Sequence, residues 1–208
     1  MNKFKIFVNL FFIICFVFII SACNQTKNLE DNENNEDNNI VMPEETPKPE
    51  NSIIYYEKAL LTTIEPTYYQ VGYGENYYVN EDANGNFLSL KVDGIETEFK
   101  SGFFAHAYSV LRFDINKYIK SFKTYFGIGL SARGYSQASM KFTVIIDDEI
   151  VYESNLIDKS NPSGYIDLNI KEKVNYLMLV IDDLGSNGYD HGLWGDPMIE
   201  IGREVSNE

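Results

Sequence analysis

The stretch Met140-Lys141-Phe142-Thr143-Val144-Ile145-Ile146-Asp147-Asp148-Glu149-Ile150-Val151-Tyr152-Glu153 decides the fold. It alternates polar and apolar residues, turns continuously apolar, breaks at three acids and resumes as a β-rich run. Period-two alternation sends neighbouring side chains to opposite faces of a strand, and β-branched and aromatic residues suit a pleated surface. The segment therefore reads as a β-hairpin.

On its C-terminal side, Tyr165-Ile166-Asp167-Leu168-Asn169-Ile170 keeps the same period. Tyr176-Leu177-Met178-Leu179-Val180-Ile181 is an apolar run too short for a buried helix. On its N-terminal side, Leu88 to Val92, Val110 to Phe113 and Lys123 to Ile128 read as further strands, with Gly, Asn and Asp between them. No helix of ten or more residues is predicted after residue 52; Ile54 to Thr62 reads as either a short helix or a first strand. Many short strands joined by turns over residues 52–204 imply an all-β domain, a β-sandwich of jelly-roll-like kind.

The chain has 208 residues, 44% hydrophobic and 14% aromatic, which is enough apolar material for a core. Its 31 acids against 17 bases give a formal charge of −14, which repels phosphate backbones and excludes nucleic acid as a partner. Residues 1–22 read as a signal peptide, with Lys3 and Lys5 ahead of an almost wholly apolar run from Phe7 to Ile20. Ile20-Ser21-Ala22-Cys23 resembles a bacterial lipobox, which implies diacylation of Cys23 on sulfur after cleavage. The domain would then be lipid-anchored on a bacterial cell membrane or outer membrane, facing away from the cytoplasm. An uncleaved anchor helix would predict the same outward-facing domain.

Residues 23–51 change to Asn, Glu, Asp and Pro, with Pro43, Pro47 and Pro49 stiffening the distal part. Such a segment cannot bury enough surface to order itself and reads as a disordered acidic linker. The two cysteines are Cys15 and Cys23. With the first in the leader and the second lipidated, the fold must be held by burial and backbone ladders rather than by disulfides.

Two constellations hold both histidines and the single tryptophan. One is Lys100-Ser101-Gly102-Phe103-Phe104-Ala105-His106-Ala107-Tyr108-Ser109; the other runs from Asp182 through Asp190-His191-Gly192-Leu193-Trp194-Gly195-Asp196. Here the sequence resembles carbohydrate-binding module family 51. That family carries a Gly-x-x-x-His-Ala-x-Ser block, an aromatic-Gly-Ile/Val-Asp stretch, a Phe-x-Val-x-x-Asp-Gly hairpin and a terminal Asp-His-x-x-Trp. The matching positions are Gly102, His106, Ala107 and Ser109, then Gly127 and Ile128, then Phe142, Val144 and Asp147, then Asp190, His191, Trp194 and Asp196. Two departures stand out. Asp148 and Glu149 occupy the turn where glycine is usual, and Gly129 stands where an acid often follows, leaving one metal or polar contact of the family unmatched.

The resemblance implies a sugar-binding sandwich, with galactose-type terminal residues among the ligands and glycoside hydrolases as frequent neighbours. The globular residues are consumed by the sandwich, so the chain reads as a free-standing lectin-like module and not as an enzyme. Carboxylates, imidazoles and aromatic faces are the groups that orient sugar hydroxyls and pack sugar rings. The candidate carbohydrate-binding residues are His106, Asp190, His191 and Trp194, with Tyr73, Asn76 and Tyr77 from an aromatic, glycine-rich loop. Asp182, Asp183 and Asp190 offer oxygen donors for a structural Ca²⁺, although no spacing matches a calcium loop. The rival readings are an envelope scaffold that binds protein without glycan, and a glycoside hydrolase, for which no carboxylate pair is marked out.

Overall fold

The computed structural model describes residues 53–186 and 188–205, so the expected signal peptide, Cys23 and acidic linker lie outside the described residues. The deciding hairpin is β8 (Ser139–Ile146) and β9 (Glu149–Glu153). Its two-residue turn holds Asp147 (φ 46°) and Asp148 (φ 71°) in the left-handed region. That is the twist a tight hairpin prefers, and aspartate tolerates it better than most residues without glycine's freedom. The Asp147 carboxylate also accepts the backbone N–H groups of Asn175 at 3.1 Å and Tyr176 at 2.9 Å, tying the turn to a neighbouring strand.

The other strands are β1 (Ile53–Leu60), β2 (Tyr68–Val71), β3 (Tyr77–Val79), β4 (Leu88–Val92), β5 (Ile95–Phe99), β6 (Gly102–His106), β7 (Ser109–Ile128), β10 (Ile157–Asp158), β11 (Ser163–Asp182) and β12 (His191–Val205). Ile54 to Thr62 resolves in favour of the strand: β1 pairs with the end of β12 and runs into a short 3-10 turn, Leu61–Thr63. Segments read from sequence as separate strands are joined. Val110 to Phe113 and Lys123 to Ile128 are both β7, while Tyr165 to Ile170 and Tyr176 to Ile181 are both β11.

The joining follows from how the sheet folds over. The later half of β7 pairs with β12 and the first half of β11, and β12 continues to β6 and β3. The first half of β7 pairs instead with β2 and the second half of β11, which continues to β8 and β9. Each long strand thus belongs to both layers, with register shifts at Asn169/Glu172 and Val174/Tyr176 in β11. Lys171 (φ 59°) and Asn116 (φ 52°) mark the corners. Bulges let a strand bend between layers while its ladder continues on either side, a feature that polarity alternation alone does not reveal.

Between the layers, Phe126 and Trp194 from one meet Phe142 from the other, each with ring centroids 5.0 Å apart. Phe103 meets Phe113 at 5.4 Å in the same way. Aromatic contacts of this kind add about 0.5–1.5 kcal/mol each beyond the area they bury. The hairpin β4–β5 covers the outer face of the β6–β12 layer through a second apolar cluster of Leu88, Leu90, Phe99, Phe104 and Leu193. Gly102 sits where strands approach closely: a Cβ there would lie 2.5 Å from the Trp194 carbonyl oxygen and 2.8 Å from a Leu88 methyl.

Candidate functional site

The site forms where β6 ends and β12 begins. His106 and His191 are register partners across that ladder, followed by Phe104 opposite Leu193. Residues two apart share a face, so His106, His191, Phe104 and Leu193 lie on the outer face, beside the second apolar cluster. The imidazole centroids are 5.0 Å apart, and the Phe104 ring meets His191 edge-on at 5.7 Å. Both histidines are half-buried.

The hydrogen bonds orient each imidazole. His106 Nδ1 is 2.7 Å from the Ala107 carbonyl oxygen. A carbonyl only accepts, so Nδ1 carries the proton and the neutral ring keeps Nε2 as an acceptor. His191 Nδ1 is 2.8 Å from the Ser131 hydroxyl. Burial, and then the neighbouring His106, hold the His191 pKa below the usual imidazole value, with Asp82 pulling the other way. The lowered pKa favours a neutral His191 ring, which can donate at one nitrogen and accept at the other and so suits a hydroxyl ligand.

Asp190 supports this corner from the inside. It is fully buried. One carboxylate oxygen accepts the Ser139 N–H at 2.7 Å, its backbone oxygen accepts the Ala107 N–H at 2.8 Å, and Oδ2 is buried without a hydrogen-bond partner. Burial pushes the carboxyl up to about 6, against the downward pull of the Ser139 N–H and of His106. Near neutrality Asp190 is thus close to its titration point.

The remaining candidates separate. Trp194 stands three residues after His191 and so faces the other side of the strand. It is 1% exposed and packed on Phe126 and Phe142, which corrects its expected role: the indole is core and offers no face to a sugar. Tyr73 is 71% exposed and its ring lies 5.3 Å from His106, so it forms one wall of the corner. Asn76 is exposed in the same loop. Tyr77 is half-buried, edge-on to Tyr69 at 4.9 Å and near Phe103, a packing position.

Asp182 and Asp183 each use one oxygen on a backbone N–H two residues on, from Leu184 at 2.8 Å and Gly185 at 2.9 Å. Among the described residues, no three His, Cys, Asp or Glu side chains converge where an ion could be held. Sequence reasoning missed Ser131, which lies 60 residues from the histidine it touches. It also missed the stacked pair Tyr135 and Tyr189, 3.7 Å apart and inclined by 9°. Tyr189 adjoins Asp190 in the second constellation, a signal that was available.

Compared with known proteins, residues 57–200 match the NPCBM/NEW2 domain. The chain belongs to that family. No curated protein matches it. The NPCBM/NEW2 domain is similar to the solved CBM51 from Clostridium perfringens GH95 in complex with methyl-galactose, at 28% identity and a TM-score of 0.63, covering 69% of this chain and 99% of that one. It also resembles CBM51-2 with the INT domains of Clostridium perfringens ZmpB in complex with GlcNAc, at 22% identity and a TM-score of 0.63, over 72% of this chain and 32% of the other. A third likeness is to the tandem CBM51 modules of the family 98 glycoside hydrolase from Streptococcus pneumoniae, at 18% identity and a TM-score of 0.63, over 74% and 49%. The latter two show a shared fold. The chain spans only a third to a half of their length.

Proposed function

We propose that this NPCBM/NEW2 domain binds terminal galactose-type sugars at the His106–His191 corner and works as a lipid-anchored, lectin-like protein outside the cytoplasm. The observation that carries the reading is the fixed imidazole pair. His106 leaves Nε2 to accept a sugar hydroxyl, Ser131 orients His191, and exposed Tyr73 supplies an aromatic wall for the C–H face of a ring. The 28%-identical module whose structure contains methyl-galactose supports the ligand class.

Binding suits this corner better than hydrolysis. A glycosidase sets two carboxyl groups about 5–10 Å apart across the scissile bond. Here the adjacent Asp190 is sealed in the interior, and Asp82 is buried and spent on the N–H groups of Asn84 and Asn86. Glycan chemistry is then left to a neighbouring enzyme. The leader and Cys23 motif support the anchor, and Cys23→Ala should leave an unprocessed or released protein; a free Cys23 thiol on mature, membrane-bound protein would contradict it.

A broad glycan array tests the sugar reading. Wild-type protein should retain galactose-terminated glycans, while His106→Ala and His191→Ala, melting within a few degrees of wild type, should lose them. A blank array for wild type, with a protein partner co-purifying, would replace the lectin reading with a scaffold.

A further inference from the structure

A cleft of about 500 Å³ opens beside the histidine corner, with Lys91, Glu96, Leu130, Arg133 and Lys159 in its lining. Its charge runs against that of the domain. Residues 52–208 carry 23 acids and 13 bases, yet three of the lining residues are cationic and Glu96 is the one acid among them. Lys91 and Lys159 are exposed, and neither meets a carboxylate among the described residues.

Arg133 is built in more firmly. Its side chain is 13% exposed, and Nη2 donates to the Ser89 hydroxyl at 2.6 Å and the Ser89 carbonyl at 3.2 Å, with Glu96 at 3.5 Å. Its Nε is buried with no hydrogen-bond partner. With Nε sealed inside and Nη2 held by Ser89 and Glu96, Arg133 acts on the cleft through a permanent, fixed positive charge.

The cleft is continuous with the sugar corner through a single loop. Gly129 donates its N–H to the His191 carbonyl at 2.8 Å and Ser131 touches His191 Nδ1, while Leu130 and Arg133, one and two residues away from Ser131, line the cleft. A ligand seated on the histidines would thus find the cationic cleft next to it. Leu130, 47% exposed, supplies an apolar surface between the two.

We infer that this cleft is a second subsite, which receives a carboxylate or sulfate carried by the same saccharide. This rests on the sugar reading above and narrows it from neutral galactosides to acidic ones. The negative surround disfavours extended polyanions, whereas a single pendant anion in the cleft meets three cationic side chains against the one carboxylate of Glu96.

Titration calorimetry of the full chain with lactose, sulfated lactose and sialylated lactose tests the inference; the two charged sugars distinguish a sulfate from a carboxylate as the preferred group. At low salt at least one acidic sugar should bind about tenfold more tightly than lactose, as a charge-assisted contact implies. The advantage should shrink in high salt. Lys91→Ala with Lys159→Ala, both on exposed side chains, should remove most of the advantage and leave lactose affinity unchanged; Arg133→Gln should do the same if its melting temperature is retained. Lactose binding with no acidic preference, or a preference untouched by the double variant, overturns the inference while sparing the sugar reading. Failure of all three sugars to bind overturns both.

Discussion

His106 and His191 face each other across the β6–β12 ladder with rings 5.0 Å apart. Each imidazole is held from behind by a different oxygen, the Ala107 carbonyl and the Ser131 hydroxyl. Because the two come from strands 85 positions apart in register, their juxtaposition is a product of the sheet and of no local motif. The relationship also fixes what lies beneath: Asp190 and Trp194 flank His191 at odd spacings, and both turn inward.

Ser131→Ala removes the partner of His191 Nδ1 while leaving both imidazoles in place. Galactoside affinity should fall by about threefold to tenfold, the range expected for losing one orienting hydrogen bond, with little change in melting temperature. Calorimetry on the variant checks this; unchanged affinity would mean that His191 does not need Ser131 to be oriented.

Trp194→Ala should act on stability. Removing a fully buried indole from between Phe126 and Phe142 is expected to cost about 3–5 kcal/mol, measured by denaturant unfolding. Substituting a tryptophan that served as an exposed sugar platform would instead leave unfolding nearly unchanged and abolish binding.

Gly129→Ala places a Cβ 2.7 Å from Phe104 Cε2, and Phe104 packs edge-on against His191. Overpacking of this kind costs about 1–3 kcal/mol. Unfolding and sugar affinity should both be weakened, because the ring that must yield is the one supporting the histidine.

Asp190 makes a pH-dependent contribution with a definite sign. Its folded pKa of about 6 lies above its unfolded value, so the native state holds the proton more tightly. Between about pH 4 and 6 the unfolded chain releases the proton first, and this group's contribution to stability falls as pH rises. His191, whose folded pKa is lowered, contributes oppositely, losing stability as pH drops below the ordinary imidazole value. Comparing melting temperatures of wild type and Asp190→Asn isolates the first: the wild type should do best relative to the variant at the acidic end, and its standing should decline toward pH 6. A constant difference across that range would contradict the assignment.

Asp147→Ala cuts the bonds from the hairpin turn to the Asn175 and Tyr176 N–H groups at the β11 bulge. The expected loss is about 1–3 kcal/mol in denaturant unfolding, with no change in sugar affinity, since the bulge lies away from the histidines.

The all-β character was legible in the alternation around Phe142 and Val144 because a half-buried strand writes its two faces into the sequence. The corners were not, since Asn116 and Lys171 carry no turn signature strong enough to reveal that β7 and β11 cross between layers. The histidines could be singled out by type and spacing. The indole could have been set apart by the same rule, because a three-residue step along a strand reverses the face. Ser131 and Arg133 could not be found this way: each acts through a long-range contact, with His191 and Ser89 respectively, that only the folded sheet creates.

The most direct measurement is a nuclear magnetic resonance titration of the protein with methyl-galactoside, following the imidazole signals of His106 and His191 alongside the Trp194 indole. The two imidazoles should shift together and saturably while the indole stays nearly still. Saturable shifts confined to residues remote from these rings, or no shift at any galactoside concentration, would contradict a sugar site at the paired histidines.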